Sequence, residues 1–129
     1  MQKTVVRGIR GAINIYENTK EAIGEATKAL LEQLIRENQL ASEDIVSIFF
    51  TVTEDVNQAF PAVSARELGL VFVPLLCSME ISVPGSMPMV IRVLVHVNTT
   101  KTQREIRHIY LRDTVRLRPD IPTPPNAEV

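Results

Sequence analysis

The sequence predicts an α+β domain in which one long helix and short helical turns pack against a mixed β-sheet. Two patterns support this prediction: runs of alternating apolar and polar residues recur along the chain, and one long stretch has the periodicity of an amphipathic helix. At 129 residues the chain is long enough for a single domain with a modest core, whose burial other subunits could complete. We expect one domain over residues 1–120 and a mobile, proline-containing tail over residues 121–129.

The first predicted element is a strand over residues 4–13 that contains two glycines. Glycine within a strand marks a bulge or a place where another backbone or a ligand approaches closely. Arg10 lies between Gly8 and Gly11, so it is either presented at a site or exposed to water on an edge strand.

The long helix is predicted over residues 19–38. Asn18, followed three residues later by Glu21, resembles a capping box that would begin it. An apolar stripe at helical spacing would lie on the sheet and consists of Ile23, Ala26, Leu30, Leu31, Leu34 and Ile35. Nothing on this helix indicates chemistry.

The middle of the chain has the pattern of a strand, a short helix and a second strand. Residues 46–53 are rich in β-branched and aromatic side chains, which favours a buried strand. Pro61 suits the first turn of a short helix and Gly69 its C-terminal exit. Taken separately, Phe60 and Arg66 are a core aromatic residue and a surface arginine. A strand is predicted over residues 70–76, where proline implies an edge position or a bulge.

Two alternating runs follow, over residues 77–83 and 90–97, joined through Pro84 and Gly85. This pattern predicts a β-hairpin with a loop of medium length. Its strands would place Glu80 and Arg92 on the same face, where they would either share one small ligand or form a structural ion pair.

The C-terminal part has three predicted elements. Thr102 and Glu105 match a capping box, residues 106–111 have the pattern of a last strand, and residues 112–120 favour a helical turn that Pro119 stops. His108 has no serine, cysteine or carboxylate at motif spacing, so we interpret it as packed or solvated rather than catalytic.

Composition excludes several classes of partner. The 14 basic and 15 acidic residues balance, so no global charge favours nucleic acid or an anionic membrane surface. Cys77 is the single cysteine, which rules out an internal disulfide, and no zinc-ligand spacing occurs. The apolar runs are too short to span a membrane, and the N-terminus lacks the apolar core of a signal peptide. We therefore expect a cytoplasmic protein.

The sequence also lacks the common enzyme motifs: a glycine-rich phosphate loop, a nucleophile elbow, a metal-binding histidine pair and paired carboxylates. The candidate site groups that remain are one carboxylate, several arginines, a tyrosine and a thiol, dispersed along the chain. This set suits a site that holds a small polyanion and stabilises charge. It suits poorly a site that abstracts protons or forms covalent intermediates.

Eight short segments, in order and spacing, resemble one known family. They are residues 6–12 (VRGIRGA), 50–55 (FTVTED), 60–62 (FPA) with 66–67 (RE), 73–75 (VPL), 77 with 80, 91–93 (IRV), 108–111 (HIYL) and 117–120 (LRPD). They are similar to those of the AroH-class chorismate mutases, a trimeric family with a pseudo-α/β-barrel fold. The resemblance covers nearly the whole chain.

The resemblance implies an activity and the residues that perform it. Members convert chorismate to prephenate by a unimolecular Claisen rearrangement, on the route to phenylalanine and tyrosine, without cofactor or metal. The implied catalytic residues are Arg92, a cation facing the ether oxygen on which negative charge grows, and Glu80, which accepts a hydrogen bond from the ring hydroxyl. The implied substrate-binding residues are Arg10 and Tyr110 on the enolpyruvyl carboxylate, Cys77 beside the ring hydroxyl, Arg66 and Arg118 as positive charge at the mouth, and Phe60 and Leu117 as apolar wall.

The resemblance also implies a homotrimer whose sites lie between subunits, so that Arg10 and Arg92 need not come from the chain that supplies Phe60 and Arg66. The sequence departs from the family at two positions. Family members often carry lysine where this chain has Val63, and a small polar residue can occur where it has Leu76.

Two other functions stay open on the residues alone. One is a trimeric protein on the same scaffold that binds a carboxylate metabolite without converting it. The other is a trimeric enzyme of related fold that acts on enamines or imines. The feature that distinguishes the mutase is Arg92 across from Glu80, because a protein that only binds the metabolite has little use for a cation at the ether oxygen.

Overall fold

The computed structural model describes residues 3–121. Its strands are β1 (Val5–Asn14), β2 (Ile45–Val52), β3 (Leu75–Met79), β4 (Val90–Thr99) and β5 (Ile109–Tyr110), and its α-helices are α1 (Lys20–Glu37) and α2 (Pro61–Glu67). Short 3₁₀ turns cover Ser42–Asp44, Gln103–Glu105 and Arg112–Leu117. The predicted mobile tail lies outside the described residues apart from Ile121.

The five strands form one mixed sheet in the order β3-β2-β4-β1-β5. β4 lies at its centre and pairs antiparallel with both β1 and β2, whereas the two outer pairs, β2 with β3 and β1 with β5, are parallel. The predicted α+β class with a mixed sheet packed by a long helix is confirmed.

The core lies between α1 and one face of the sheet. Alternate residues of each strand face the helix, and Ile9, Ile48 and Val95 are at most 1% exposed there. From α1, Ile23, Leu30 and Leu34 complete the packing and are fully buried. The opposite face of the sheet is left to the other residues of the alternation, which include the polar groups described below.

Both helices lie close to their predicted positions, but the cap of α1 differs. Thr19 is the N-cap residue, and its Oγ1 accepts a hydrogen bond of 3.0 Å from the Ala22 amide. The predicted cap, Asn18, instead donates to the Asn57 side chain at 2.8 Å. Pro61 begins α2 and Gly69 follows its end, as the sequence predicts.

The predicted hairpin is wrong. β3 and β4 are not neighbours, because β2 lies between them and pairs with both. The strand also ends at Met79 rather than at residue 83, since Val83 and Ser86 donate instead to the carbonyls of Ile81 and Val83 in tight turns. An alternating pattern identifies which face a residue occupies, and it carries no information on which strand is its partner.

Three further predictions need correction. Of residues 70–76 only the last two are in a strand, and Phe72 is 98% exposed. Of residues 106–111 only Ile109 and Tyr110 pair in the sheet. β1 is not an edge strand, because β5 covers its outer side, whereas the edge position predicted from Pro74 is correct for β3. No helix in residues 3–121 is long and apolar enough to cross a membrane.

Candidate active site

A cleft of about 270 Å³ opens on the sheet face that α1 does not cover. The strand register explains its composition, because Arg10 and Phe49 both lie opposite Leu94 and Thr51 lies opposite Arg92, so these side chains project from the same face. The cleft is lined by Arg10, Gly11, Phe49, Thr51, Arg92, Val93, Leu94 and Tyr110. Three of the predicted site residues, Arg10, Arg92 and Tyr110, are therefore brought together.

Glu80 and Arg92 form an ion pair beside this cleft. Oε2 of Glu80 lies 3.5 Å from Nε of Arg92, and the two side chains are 32% and 43% exposed. Their proximity was predicted from a hairpin, but it arises across the intervening strand β2. Solvent screens a pair that is this exposed, so the pair contributes little to stability.

The Arg92 guanidinium keeps hydrogen-bonding capacity. Its Nε is buried without a hydrogen-bond partner among the described residues. An arginine N–H that is removed from water and unpaired is costly. An oxygen atom of a ligand in the cleft would satisfy guanidinium donors that the protein leaves unpaired.

The entry to β4 is fixed by a set of hydrogen bonds that the sequence did not reveal. The Asp55 carboxylate accepts from the Met89 amide at 3.1 Å and from the Thr53 hydroxyl at 2.5 Å, and that hydroxyl accepts from the Val90 amide at 3.0 Å. Met89 has a positive φ of 60°. These bonds hold the backbone in position just before Arg92.

Tyr110 lies at the second, smaller apolar cluster, on the cleft side of the sheet. It is 6% exposed and packs with Ala12 and Val90, and Leu117 is partly buried against the same cluster. The predicted wall residue Leu117 is thus next to Tyr110.

Arg118 lies close to Tyr110 and is itself paired with an acidic residue. Arg118 makes a two-pronged pair with Asp120, with distances of 3.0 and 2.8 Å. The hydrogen bonds that Arg118 donates to Asp120 raise the pKa of Arg118 and lower the pKa of Asp120. Arg118 therefore stays charged near Tyr110.

His108 lies behind Arg10. Its Nδ1 accepts a hydrogen bond of 2.9 Å from the Arg10 amide, which requires a neutral ring. Burial, followed by the charges of Arg10 and Arg118, lowers the pKa of His108 below its ordinary value of 6.5. His108 is half-buried and held by the Arg10 backbone, which agrees with its interpretation as a packed residue.

The remaining predicted site residues lie elsewhere in the chain. Phe60 and Cys77 line a second cleft of about 510 Å³, together with Val52, Val56, Asn57, Gln58, Ala59, Pro61, Ser78 and Met79. Phe60 is 70% exposed, since it is the N-cap residue before Pro61 and projects from the end of α2. Arg66 is exposed on α2 and lines neither cleft. In one chain, Phe60, Cys77 and Arg66 therefore lie outside the cleft that Arg10, Arg92 and Tyr110 line.

Sequence reasoning missed Thr51 as a site residue. Its hydroxyl donates to Oε2 of Glu80 at 2.9 Å, and its Cα lies opposite that of Arg92. The sequence does show that Thr51 lies on the exposed side of the β2 alternation. Without the strand order, however, this position does not indicate which residues Thr51 contacts.

Comparisons with known proteins agree over almost the whole chain. A sequence model of the family described as "Chorismate mutase type I" matches residues 6–121. Chorismate mutase AroH of Thermus thermophilus is 52% identical over 118 residues, covering 91% of this chain and 97% of that protein. Chorismate mutase AroH of Bacillus subtilis (strain 168) is 42% identical over 126 residues, covering 97% and 99%.

The fold agrees as well. The solved structure of a chorismate mutase from Clostridium thermocellum superposes with a TM-score of 0.83 at 44% identity, covering 84% of this chain and 96% of that one. The sequence identity, the coverage of both chains and the shared fold together place this chain in the type I chorismate mutase family.

Proposed function

We propose that this protein converts chorismate to prephenate in the biosynthesis of phenylalanine and tyrosine, without a cofactor. The main support is the Arg92 guanidinium, which lines the cleft, makes no hydrogen bond to the described part of the chain and is paired side-on with Glu80. The reaction breaks a carbon–oxygen ether bond as a carbon–carbon bond forms, so negative charge grows on the ether oxygen. A cation fixed next to that oxygen binds the transition state more tightly than the substrate, which lowers the barrier.

The substrate is a dicarboxylate, and the residues around the cleft suit it. Arg10 and Tyr110 bind the enolpyruvyl carboxylate, and Glu80 accepts a hydrogen bond from the ring hydroxyl, with Cys77 beside it. Arg118 provides a cationic group next to Tyr110, and Asp120 holds its guanidinium in place. Holding the enolpyruvyl arm folded over the ring removes its rotational freedom before the chemical step, which contributes further to the rate.

The active unit in this proposal is a homotrimer of pseudo-α/β-barrel form, with each site between two subunits. Phe60, Cys77 and Arg66 of one chain then face the cleft that Arg10 and Arg92 line in the next. Two observations support this arrangement. In one chain, Phe60, Cys77 and Arg66 lie outside the cleft that Arg10 and Arg92 line, and the cleft face of the sheet leaves large apolar side chains exposed, among them Phe49 at 42% and Leu76 at 58%.

The remaining assignments follow from the reaction. Leu117 and Phe60 form apolar wall, and Val63 replaces a cation at the mouth, so substrate binding is weaker than in relatives with lysine there while the chemistry at Arg92 is unaffected. Because the reaction is a step of amino-acid biosynthesis, we place the enzyme in the cytoplasm.

The test is to add the purified protein to chorismate and follow the ultraviolet absorbance. Prephenate is confirmed by its conversion to phenylpyruvate in acid. We expect chorismate to disappear at a rate proportional to enzyme concentration, and sedimentation to give the mass of a trimer. A folded trimer with no rate above the spontaneous reaction would overturn the activity and favour a binding protein. An active monomer would overturn the shared site.

A further inference from the structure

Thr51 lies between the two members of the ion pair beside the cleft, Glu80 and Arg92. On β2, its Cα is paired with that of Ser78 on β3 and with that of Arg92 on β4. Directly paired residues project from the same face of a sheet, so the Thr51 side chain lies between the strand that leads to Glu80 and the strand that carries Arg92. Thr51 also lines the cleft itself.

Glu80 depends on side-chain contacts for its orientation because it lies just beyond the end of β3. One backbone hydrogen bond, from the Glu80 amide to the Val52 carbonyl at 2.8 Å, continues the sheet to this residue. Its Oε1 accepts from the Ile81 amide at 3.2 Å, and its Oε2 accepts from the Thr51 hydroxyl at 2.9 Å. The Thr51 bond is the shorter one, and it holds the oxygen that faces Arg92.

The geometry of the ion pair shows what this bond achieves. Oε2 contacts Arg92 side-on through Nε at 3.5 Å, too long and misaligned to be a hydrogen bond. Within residues 3–121 the guanidinium makes no hydrogen bond. A carboxylate and a guanidinium that are free to move frequently adopt a two-pronged pair, which uses the guanidinium donors. With Oε2 held by Thr51, Glu80 stays near Arg92 without occupying those donors.

We propose that Thr51 is a positioning residue for the reaction. Its hydroxyl fixes the Glu80 carboxylate so that Glu80 faces the substrate ring hydroxyl and Arg92 keeps its donors for the ether oxygen. Threonine suits the task because its β-branched side chain is restricted in χ1. This inference rests on the proposed mutase activity, since its effect is a change in the rate of that reaction.

The experiment compares Thr51→Val with Thr51→Ser. Valine keeps the shape and the β-branching but has no donor, whereas serine keeps the hydroxyl. We expect the kcat of Thr51→Val to fall about tenfold with a smaller change in KM, as for loss of one hydrogen bond to a charged group, and Thr51→Ser to stay within about threefold of wild type. The control is Ser47→Ala on the same strand as Thr51, which removes a hydroxyl bonded to His96 on β4 and should keep full activity. Thermal unfolding and circular dichroism establish that each variant folds.

A second comparison separates positioning from direct contact with substrate. In a Glu80→Ala background, the further change Thr51→Val should alter kcat by less than twofold, because the hydroxyl has nothing left to orient. A full tenfold loss in that background, or wild-type kcat in Thr51→Val alone, would overturn the role of Thr51. A wild-type protein without activity would overturn the proposed function first, and the role of Thr51 with it.

Discussion

Glu80 and Arg92 lie 3.5 Å apart although the strands that lead to them are not neighbours in the sheet. Thr51 on the intervening strand β2 joins them, since its hydroxyl bonds to the same carboxylate oxygen that contacts the guanidinium. Arg92 and Thr51 also line the cleft, so a ligand in the cleft would lie next to the guanidinium.

Replacing Arg92 by methionine or by the neutral isostere citrulline should lower kcat at least about a hundredfold, because the transition state loses the cation that we propose faces the ether oxygen. The absorbance assay measures the loss. Arg107→Met is the matched control, as Arg107 pairs with Glu37 away from the cleft at 3.5 Å and its side chain is 63% exposed. Sedimentation should give the same mass for all variants. Near-wild-type turnover in either Arg92 variant would contradict the electrostatic mechanism.

Gly11 and Gly8 on β1 should respond in opposite ways to alanine. A Cβ on Gly11 would lie 3.1 Å from the Ile109 carbonyl, from Leu30 and from Val93, whereas a Cβ on Gly8 would lie 3.5 Å from Leu94, an ordinary contact. We expect Gly11→Ala to cost about 1–3 kcal/mol of unfolding free energy through overpacking, and Gly8→Ala to cost nothing or to stabilise. Urea unfolding at one protein concentration measures both. Equal effects of the two changes would contradict the close approach of β5.

Strand β4 and the cap of α1 show how far the sequence predicts the fold. The alternation along β4 correctly separated Val93 and Val95, which are buried, from Arg92, because a two-residue period depends only on local geometry. The hairpin failed because the same alternation does not specify a strand's neighbour, and the insertion of β2 is a long-range event. The predicted capping box at Asn18 failed by one residue, since both Asn18 and Thr19 carry suitable oxygens.

The candidate site was predictable in part for the same reason. The resemblance predicts Arg10, Arg92 and Tyr110 as site residues, and the registers of β1 with β4 and with β5 bring them together. Thr51 could not be predicted from the sequence, because its contacts depend on the alignment of the three strands β3, β2 and β4.

The helices α1 and α2 end in the same backbone motif, but a different residue turns the chain in each. The difference predicts how substitutions at the two positions change stability. After α1, Gln39 and Leu40 donate to the carbonyls of Arg36 and Ile35, and after α2, Gly69 and Leu70 donate to those of Arg66 and Ala65. The residue that turns the chain has a φ of 55° in Gln39 and 100° in Gly69.

A side chain is strained at that conformation, so Gln39→Gly should stabilise the protein by about 0.5 kcal/mol and Gly69→Ala should destabilise it by about 1–2 kcal/mol. Gln39→Ala is the control and should give no gain, because it keeps the Cβ. Melting temperatures measure all three. No atom lies within 4 Å of a Cβ added at Gly69, so backbone strain is the expected cost of alanine there. A Gly69→Ala variant as stable as wild type would contradict the strain.

Stability should fall as the pH drops because His108 must be neutral to accept from the Arg10 amide. Burial and the charges of Arg10 and Arg118 lower its pKa in the fold, so the unfolded chain binds the proton more readily. The stabilisation is present in full above the ordinary pKa of 6.5 and is lost as the pH falls through the lower folded pKa. Asparagine accepts the same bond without titrating, so the drop in melting temperature from pH 7.5 to 5.5 should be smaller in His108→Asn than in wild type. An equal drop in both proteins would assign the pH dependence to other groups.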